Sequence, residues 1–294
     1  MKINIYYWNN GVGVVTDSII LNEILFNFDV VVYDVSKNNQ YRASDLGIFI
    51  QNIWLDYLHD NKKNIYIINE EWLNETEISY LKYFDLLIVK SNHAKKLLNA
   101  YHNNIINTGF FSLNKYKETQ STGNILHFKG KSIQKNHELL FKYKDKYNIK
   151  ILDSETNYLS NTEIINALND HDIHICCSLY EAWGHYLWEA MSCGKYVICS
   201  EIPVFKEYID PALVKFVPIT HTSNYNTDYR FLNTNNYKFR TGYFVDENIF
   251  QQILDEKNKL LELKTQNYLN IINYTKDVML KNKNCFVNTI INFI

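Results

Sequence analysis

Residues 177–198 read Cys177-Ser178-Leu179-Tyr180-Glu181-Ala182-Trp183-Gly184-His185-Tyr186-Leu187-Trp188-Glu189-Ala190-Met191-Ser192-Cys193-Gly194-Lys195-Tyr196-Val197-Ile198. The short apolar run Ile173–Cys177 leading into them predicts a buried strand. A turn carrying Glu181 and Gly184 follows, His185–Cys193 has helical spacing, and Tyr196–Ser200 is again a strand. Strand, turn, helix and strand in succession make the unit of a parallel α/β sheet. The first N–H groups of the helix lack intrahelical partners and its dipole end is positive, so the turn is suited to a phosphate. Glu189 stands four residues after His185, on the same helix face. Two carboxylates beside such a helix end suit a nucleotide sugar, one meeting sugar hydroxyls and the other the ribose. Either Glu taken alone fits equally a capping turn or a solvated face.

The same rhythm extends in both directions. Before it, strands are expected at Ile3–Trp8, Val30–Val35, Leu46–Ile50, Asn64–Ile68, Leu86–Val89 and Ile105–Thr108, with helical stretches at Asp17–Phe26 and Asn92–Tyr101. The polar segment Leu113–Thr122 has no apolar periodicity and reads as a linker. The pattern restarts with a strand at Ile125–Phe128, a helix at His137–Tyr147, a strand at Ile149–Leu152 and a helix at Thr162–Leu168. Residues 220–242 carry no clear period and read as a long loop or a cover, and Phe250–Ile294 is helical. The expected organisation is an N-terminal Rossmann-like domain over 1–118, a second over 119–270, and a C-terminal helix over 271–294 packing back on the first. Two such halves leave a cleft, and ligands of these sheets bind outside the carboxyl ends of the strands.

Composition supports this reading. With 294 residues and about 150 per domain, two domains are expected. Hydrophobic residues at 46% suffice for sizeable cores, which excludes a disordered chain. Thirty Lys and Arg against 32 Asp and Glu leave a net charge of −2, without the basic excess that nucleic-acid binding requires. The five cysteines form no CxxC pair and read as core residues of a reducing, cytoplasmic compartment. No signal-peptide core precedes the first strand, and no apolar run approaches the roughly 20 residues that span a bilayer. The apolar face of Cys285–Ile294 suits docking on the first domain, with membrane contact as its alternative.

Further candidates lie at strand ends. Leu126-His127-Phe128-Lys129-Gly130-Lys131-Ser132-Ile133-Gln134-Lys135-Asn136 ends a strand in a glycine turn, where Lys131 and Lys135 can neutralise a diphosphate leaving group. A solvated basic turn is the plain alternative. Asn9-Asn10-Gly11-Val12-Gly13-Val14-Val15-Thr16-Asp17 places Gly11 and Gly13 after the first strand, where backbone can approach a diphosphate. With Asp34 closing the second strand, this loop also loosely fits a dinucleotide fingerprint, which would make the chain an NAD(P)-dependent oxidoreductase. Gln51 and Asn52 follow the third strand and Glu70 the fourth, where an acceptor would enter. Lys90-Ser91-Asn92-His93 reads as a strand end and helix N-cap. Asp170-His171-Asp172 reads as a turn, and His174 with Cys176 and Cys177 as core, since no second ligand pair follows at a metal spacing.

The long stretch resembles the retaining GT-B glycosyltransferases, in particular the family-4-like group (glycosyl transferases group 1) with its Glu-x7-Glu motif. Ser178, Glu181, Gly184, Glu189, Ala190, Met191, Gly194, Val197 and Ile198 fall in its positions. The Gly130-Lys131 and Lys135 turn resembles the family's Gly-Arg-x4-Lys-Gly element, with Lys for Arg and a shorter spacing; lysine keeps the charge and loses the bidentate fork. The resemblance implies a GT-B fold and transfer of a sugar, with retention, from a UDP- or GDP-sugar to a hydroxyl of a glycan, glycoprotein or glycolipid. It implies no cofactor and no metal. In its terms Glu181, Lys131 and Lys135 are catalytic, while Gly184, His185, Tyr186, Glu189, Gly11 and Gly13 bind the donor. Gln51, Asn52 and Glu70 lie on the acceptor side. A non-catalytic sugar-nucleotide-binding subunit would keep the same pocket.

Overall fold

The computed structural model describes residues 1–294 except 38–40, 121, 131, 154–158 and 225–236. The described chain divides into two compact units. The first comprises Met1–Phe111, 237–240 and Leu280–Ile294, and the second Ser112 onward to 224 together with Thr241–Met279.

In the first unit β1 (Lys2–Tyr7), α1 (Val12–Ile24), β2 (Asp29–Asp34), β3 (Ser44–Ile50), β4 (Asn61–Ile67), α2 (Glu75–Ile78), β5 (Leu86–Val89), α3 (Asn92–Leu98) and β6 (Ile105–Asn107) follow in order. The strands form one parallel sheet ordered β2-β1-β3-β4-β5-β6. Every residue of β5 is buried, as expected of a parallel strand covered on both faces. Ser91 caps α3, its Oγ accepting from the Ala94 N–H at 3.0 Å. Lys90, just before it, is wholly buried: its ammonium donates to Asp17 of α1 at 2.7 Å and lies 3.9 Å from the Phe110 ring centre. That pair ties α1 to the end of β5.

In the second unit β7 (Ile125–Lys129), α4 (His137–Phe141), α5 (Lys144–Tyr147), β8 (Ile149–Asp153), α6 (Asn161–Asp170), β9 (Ile173–Cys176), α7 (His185–Ser192), β10 (Tyr196–Ser200), α8 (Pro203–Tyr208) and β11 (Val214–Val217) precede a hairpin. Its five-stranded parallel sheet is ordered β11-β10-β9-β7-β8. Read from the other edge this is second, first, third, fourth, fifth, the same winding as the first unit. Each sheet therefore reverses direction between its first and third strands, the point where open α/β sheets bind ligands.

The expected helix His137–Tyr147 is two short helices, because the chain tightens after Leu140, where the Tyr143 N–H bonds the Leu140 carbonyl at 3.0 Å. The expected loop or cover over 220–242 instead contains β12 (Ile219–Asn224) paired antiparallel with β13 (Thr241–Val245); its residues 225–236 lie outside the described ones. The linker is a strap laid on its own unit. Lys117 N–H donates to Asn169, Thr119 to the Asn169 carbonyl, and the N–H groups of Thr122 and Gly123 to Asp172.

Asp172, from the Asp170-His171-Asp172 turn, also pairs with Lys264 at 2.9 Å and Lys195 at 3.7 Å, and so pins the start of the unit. His174 is core: its Nε2 lies 3.1 Å from the Leu168 carbonyl, and burial pushes its pKa down to about 3. Cys176, Cys177, Cys193 and Cys199 are buried in this unit, and Cys285 is exposed.

After α9 (Glu247–Asp255), the 37-residue α10 (Lys257–Phe293) closes the chain. Its part up to Met279 belongs to the second unit, and Leu280 onward to the first. There Phe286 packs edge-on to Phe111, Asn282 donates to the Phe110 carbonyl at 2.8 Å, and Lys63 donates to the Phe293 carbonyl. Among the described residues no helix is long and apolar enough to cross a membrane.

Candidate functional site

The switch point of the second unit lies between the ends of β7 and β9, and both motif loops start there. Glu181 is the centre of a small polar cluster. Its Oε1 accepts from the Lys135 ammonium at 2.5 Å and from the Ser178 hydroxyl at 2.8 Å, and its Oε2 accepts from Gln134 Nε2 at 3.3 Å. Backbone fixes the two loops to one another, the Leu179 N–H donating to the Gln134 carbonyl at 2.7 Å. Local chemistry explains the loop shape: Ser132 Oγ caps the turn Ile133–Lys135, and Asn136 closes it at φ 53, a left-handed position that Asn tolerates. Gln134 is the member that sequence reasoning passed over. Its only signal was its position inside the basic turn. Lys131 lies outside the described residues.

Gly184 caps α7 at φ 84. A Cβ there would stand 2.7 Å from Phe205 Cε1, so only glycine lets the chain turn onto the helix at this point. His185 follows, its Nδ1 2.8 Å from the Ser112 hydroxyl, which also accepts from the Trp183 indole at 3.2 Å. Tyr186 points away from the loop cluster: its hydroxyl donates to the Leu126 carbonyl at 3.1 Å and meets His174 Nδ1. What it offers at the helix start is therefore backbone, while its side chain anchors α7 to β7.

Glu189 is half-buried and, among the described residues, its carboxylate has no hydrogen-bond or ion-pair partner. Burial raises its pKa, against the pull of His185, Lys115 and Lys135. A desolvated carboxylate with free acceptor lone pairs is suited to a ligand's hydroxyl groups.

In the first unit the other residues singled out also gather at strand ends. Gly11 is the N-cap of α1 in extended conformation, and Gly13 lies in its first turn. A Cβ on either would meet nothing within 4 Å. Gln51 sits at φ 62, the centre of a three-residue turn closed by the Asn52 N–H on the Ile50 carbonyl at 2.7 Å. Its side chain accepts from Asn69 Nδ2 at 2.8 Å. Glu70 is buried in a short turn after β4. Asp34 is occupied by its own turn, accepting from the Ser36 hydroxyl at 2.7 Å and the Ser36 N–H at 3.1 Å. Among the described residues no three His, Cys, Asp or Glu side chains gather as a metal site would need.

Two parallel Rossmann-like sheets, with a C-terminal helix contributing to both units, define the GT-B class. HepE of Anabaena, solved with UDP-glucose, superposes with a TM-score of 0.64 at 12% identity, over 98% of this chain and 99% of that one. Sucrose-phosphate synthase of Thermosynechococcus elongatus gives 0.60 at 11% identity, over 99% and 100%. The pneumococcal O-GlcNAc transferase GtfA, solved with UDP and GlcNAc, gives 0.57 at 11% identity over 85% of this chain, which spans only 57% of that protein's length. No curated protein sequence matches. The profile of Glycosyl transferases group 1 matches residues 112–278, which contain both motif loops. The chain belongs to the glycosyl transferases group 1 family.

Proposed function

We propose that the protein is a retaining glycosyltransferase that moves a sugar from a uridine diphosphate sugar to a hydroxyl of a glycan or glycoconjugate, without a metal ion. The observation that carries this reading is the joining of Lys135 to Glu181 at the switch point of the second sheet, with the unpartnered Glu189 carboxylate one helix turn along. HepE and GtfA, solved with UDP-glucose and with UDP and GlcNAc, support a uridine nucleotide.

In this reading the diphosphate lies at the start of α7, against the backbone of Gly184, His185 and Tyr186, with Lys135 beside it and Lys131 assigned as a second cation for it. Negative charge grows on the diphosphate as the glycosidic C–O bond breaks, and cations fixed in advance lower that barrier. Lys135 stands between two anions: it neutralises Glu181 in the structure and would hold it beside a diphosphate that would otherwise repel it. Glu181 then orients the sugar and supports positive charge at the anomeric carbon, and Glu189 takes the ribose hydroxyls. Gly11 and Gly13, open above α1, leave room for a ligand to approach backbone. The first unit, with Gln51, Asn52 and Glu70, serves the acceptor. We divide the chain functionally as 1–118, 119–270 and 271–294.

The oxidoreductase alternative needs Asp34 for a ribose, and that carboxylate is engaged by Ser36. A calorimetric titration with UDP-glucose, UDP-GlcNAc, GDP-mannose and NADH, in EDTA, tests the reading. Binding of a UDP-sugar that Glu189→Gln weakens supports it; binding of NADH alone overturns it.

A further inference from the structure

The outer edge of the first sheet is open and apolar. β2 stands at the end of the strand order, and among the described strands it pairs with β1 alone. Its odd residues bond inward: the Asp29 N–H donates to the Met1 carbonyl at 3.1 Å and the Val35 N–H to the Tyr7 carbonyl at 2.9 Å. The peptide groups of the even residues therefore point outward. At each end one of these groups is closed locally, the Phe28 N–H on the Leu25 carbonyl at 2.9 Å and the Asp34 carbonyl on the Lys37 N–H at 3.1 Å. Between them the N–H and C=O groups of Val30 and Val32 bond nothing among the described residues. Natural edges are usually guarded by Lys, Pro or a bulge. β2 has none of these: it reads Asp-Val-Val-Val-Tyr-Asp in unbroken register, its three valines half-buried.

The neighbouring helix continues the apolar surface. α1 packs on β1 and β2. Its Ile19 is 47% exposed, and Phe26, in the turn that joins α1 to β2, is 73% exposed. A helix that is apolar on its outer face as well as its inner one is ordinarily covered on both. From Val12 to Ser36 the sequence contains no Lys or Arg, so nothing here attracts an anionic lipid or a nucleic acid. Asp17 is committed to Lys90, Asp29 to Arg42 and Asp34 to Ser36, which leaves little for a basic peptide.

The symmetry of the open stretch selects its occupant. The two closed ends, Phe28 and Asp34, lie equally far from Val31. An antiparallel copy of β2, related by a two-fold axis through Val31, sets Val30 opposite Val32 of the other copy. Directly opposed residues of this kind exchange both hydrogen bonds, so the open groups of Val30 and Val32 are satisfied in both strands. Phe28 falls opposite Asp34, where the facing N–H and carbonyl are those already closed within each chain. Asp29 falls opposite Tyr33, so no like charges meet. The two copies of α1, each over the outer strands of its own sheet, then lie about 10 Å apart, an ordinary helix-packing distance. Ile19 and Phe26 are covered in the process. A lone extended peptide would take the same hydrogen bonds and leave α1 bare.

We propose that β2 and α1 form the interface of a homodimer, in which the first sheets of two copies join edge to edge about a two-fold axis. The pairing uses none of the residues assigned to donor or acceptor, so it stands or falls apart from the proposed function.

Sedimentation velocity over roughly 1–100 µM tests it on the full chain and on Ile19→Lys, Val32→Pro and Phe141→Lys, the last altering an exposed aromatic of the second unit. Ile19→Lys changes only an exposed side chain, and Val32→Pro removes an outward N–H that β1 does not use. Melting of each variant checks that it folds, and hydrogen exchange follows the Val30 and Val32 amides of the unaltered chain. The expected result is a dimer whose association is weakened about tenfold or more by Ile19→Lys and by Val32→Pro and is unchanged by Phe141→Lys. The two amides are expected to exchange faster on dilution. A monomer throughout the range, a dimer that survives both of the first two variants, or one lost in Phe141→Lys overturns the interface. So do Val30 and Val32 amides that exchange equally fast in monomer and dimer.

Discussion

The Lys135 ammonium and the Glu181 carboxylate, 46 residues apart in sequence, meet at 2.5 Å with side chains 22% and 8% exposed. The pair is partly desolvated, so removing either member leaves a charge that the surrounding loop must accommodate. Lys135→Ala is expected to lower turnover of the donor about 10²–10³-fold, the usual cost of losing one group that stabilises developing negative charge. Lys135→Arg, which keeps the charge, is expected to recover much of that loss. Release of UDP from the bound UDP-sugar measures both.

Glu189 yields a pH prediction with a definite sign. Burial raises its pKa above the ordinary carboxylate value, so the group protonates first as pH falls. If its ionised form holds the ribose, UDP-sugar affinity declines as pH drops toward that raised value, and Glu189→Gln removes the dependence at a cost of about tenfold in affinity at neutral pH. Stability runs the opposite way. A carboxyl whose folded pKa is raised is destabilising once ionised, an effect absent below the unfolded pKa and complete above the folded one. Glu189→Gln is therefore expected to melt no lower than wild type at pH 8 while binding donor worse. Melting and titration on the same sample check both halves.

Gly184 holds the turn into α7. Its φ of 84 and a Cβ position 2.7 Å from the Phe205 ring make Gly184→Ala costly by roughly 1–3 kcal/mol. Adding Phe205→Leu should relieve the contact and not the backbone strain, so the double variant is expected to regain only part of the lost melting temperature. Full recovery would show that the φ carries no cost.

Arg240 is buried in the first unit. Its guanidinium carbon lies 3.7 Å from the Tyr237 ring centre and 4.2 Å from that of Trp72, and Nε donates to the Glu71 carbonyl at 3.1 Å. A desolvated cation–π contact contributes about 2 kcal/mol or more. Arg240→Met, which keeps volume and loses charge, is expected to lower stability by about 2–4 kcal/mol in chemical denaturation. Arg240→Lys should do little better, since a lysine lacks the flat face that both rings meet.

The alternation of strands and helices was legible because buried parallel strands are short continuous apolar runs; Leu86–Val89 and Tyr196–Ser200 coincide with the observed strands. The hairpin of β12 and β13 was not, because Thr, His, Ser and Tyr alternate there without an apolar period. Ile202-Pro203 did carry a helix-start signal for α8, Pro being favoured at the first helical position, and it went unread. At the candidate site, spacing within one segment singled out Glu181, Gly184 and Glu189. It could not reveal that Gln134 reaches Glu181, or that Lys90 pairs with Asp17, because those contacts join segments 47 and 73 residues apart. Nor could it say where a side chain points: Tyr186 was singled out at the start of α7, and its hydroxyl is committed to the Leu126 carbonyl of β7.

The distribution of cysteines has a practical consequence for following this chain in solution. All four shielded thiols belong to the second unit, and burial raises the pKa of each, so they are protonated as well as inaccessible. Cys285, on the portion of α10 that belongs to the first unit, is open to reagent. Under native conditions a maleimide should add once per molecule, and the four later additions would occur only as the second unit opens. Mass spectrometry after timed pulses would then count the opening of one half of the polypeptide without any engineered label, and a ligand bound to that half would lengthen the interval before the mass climbs.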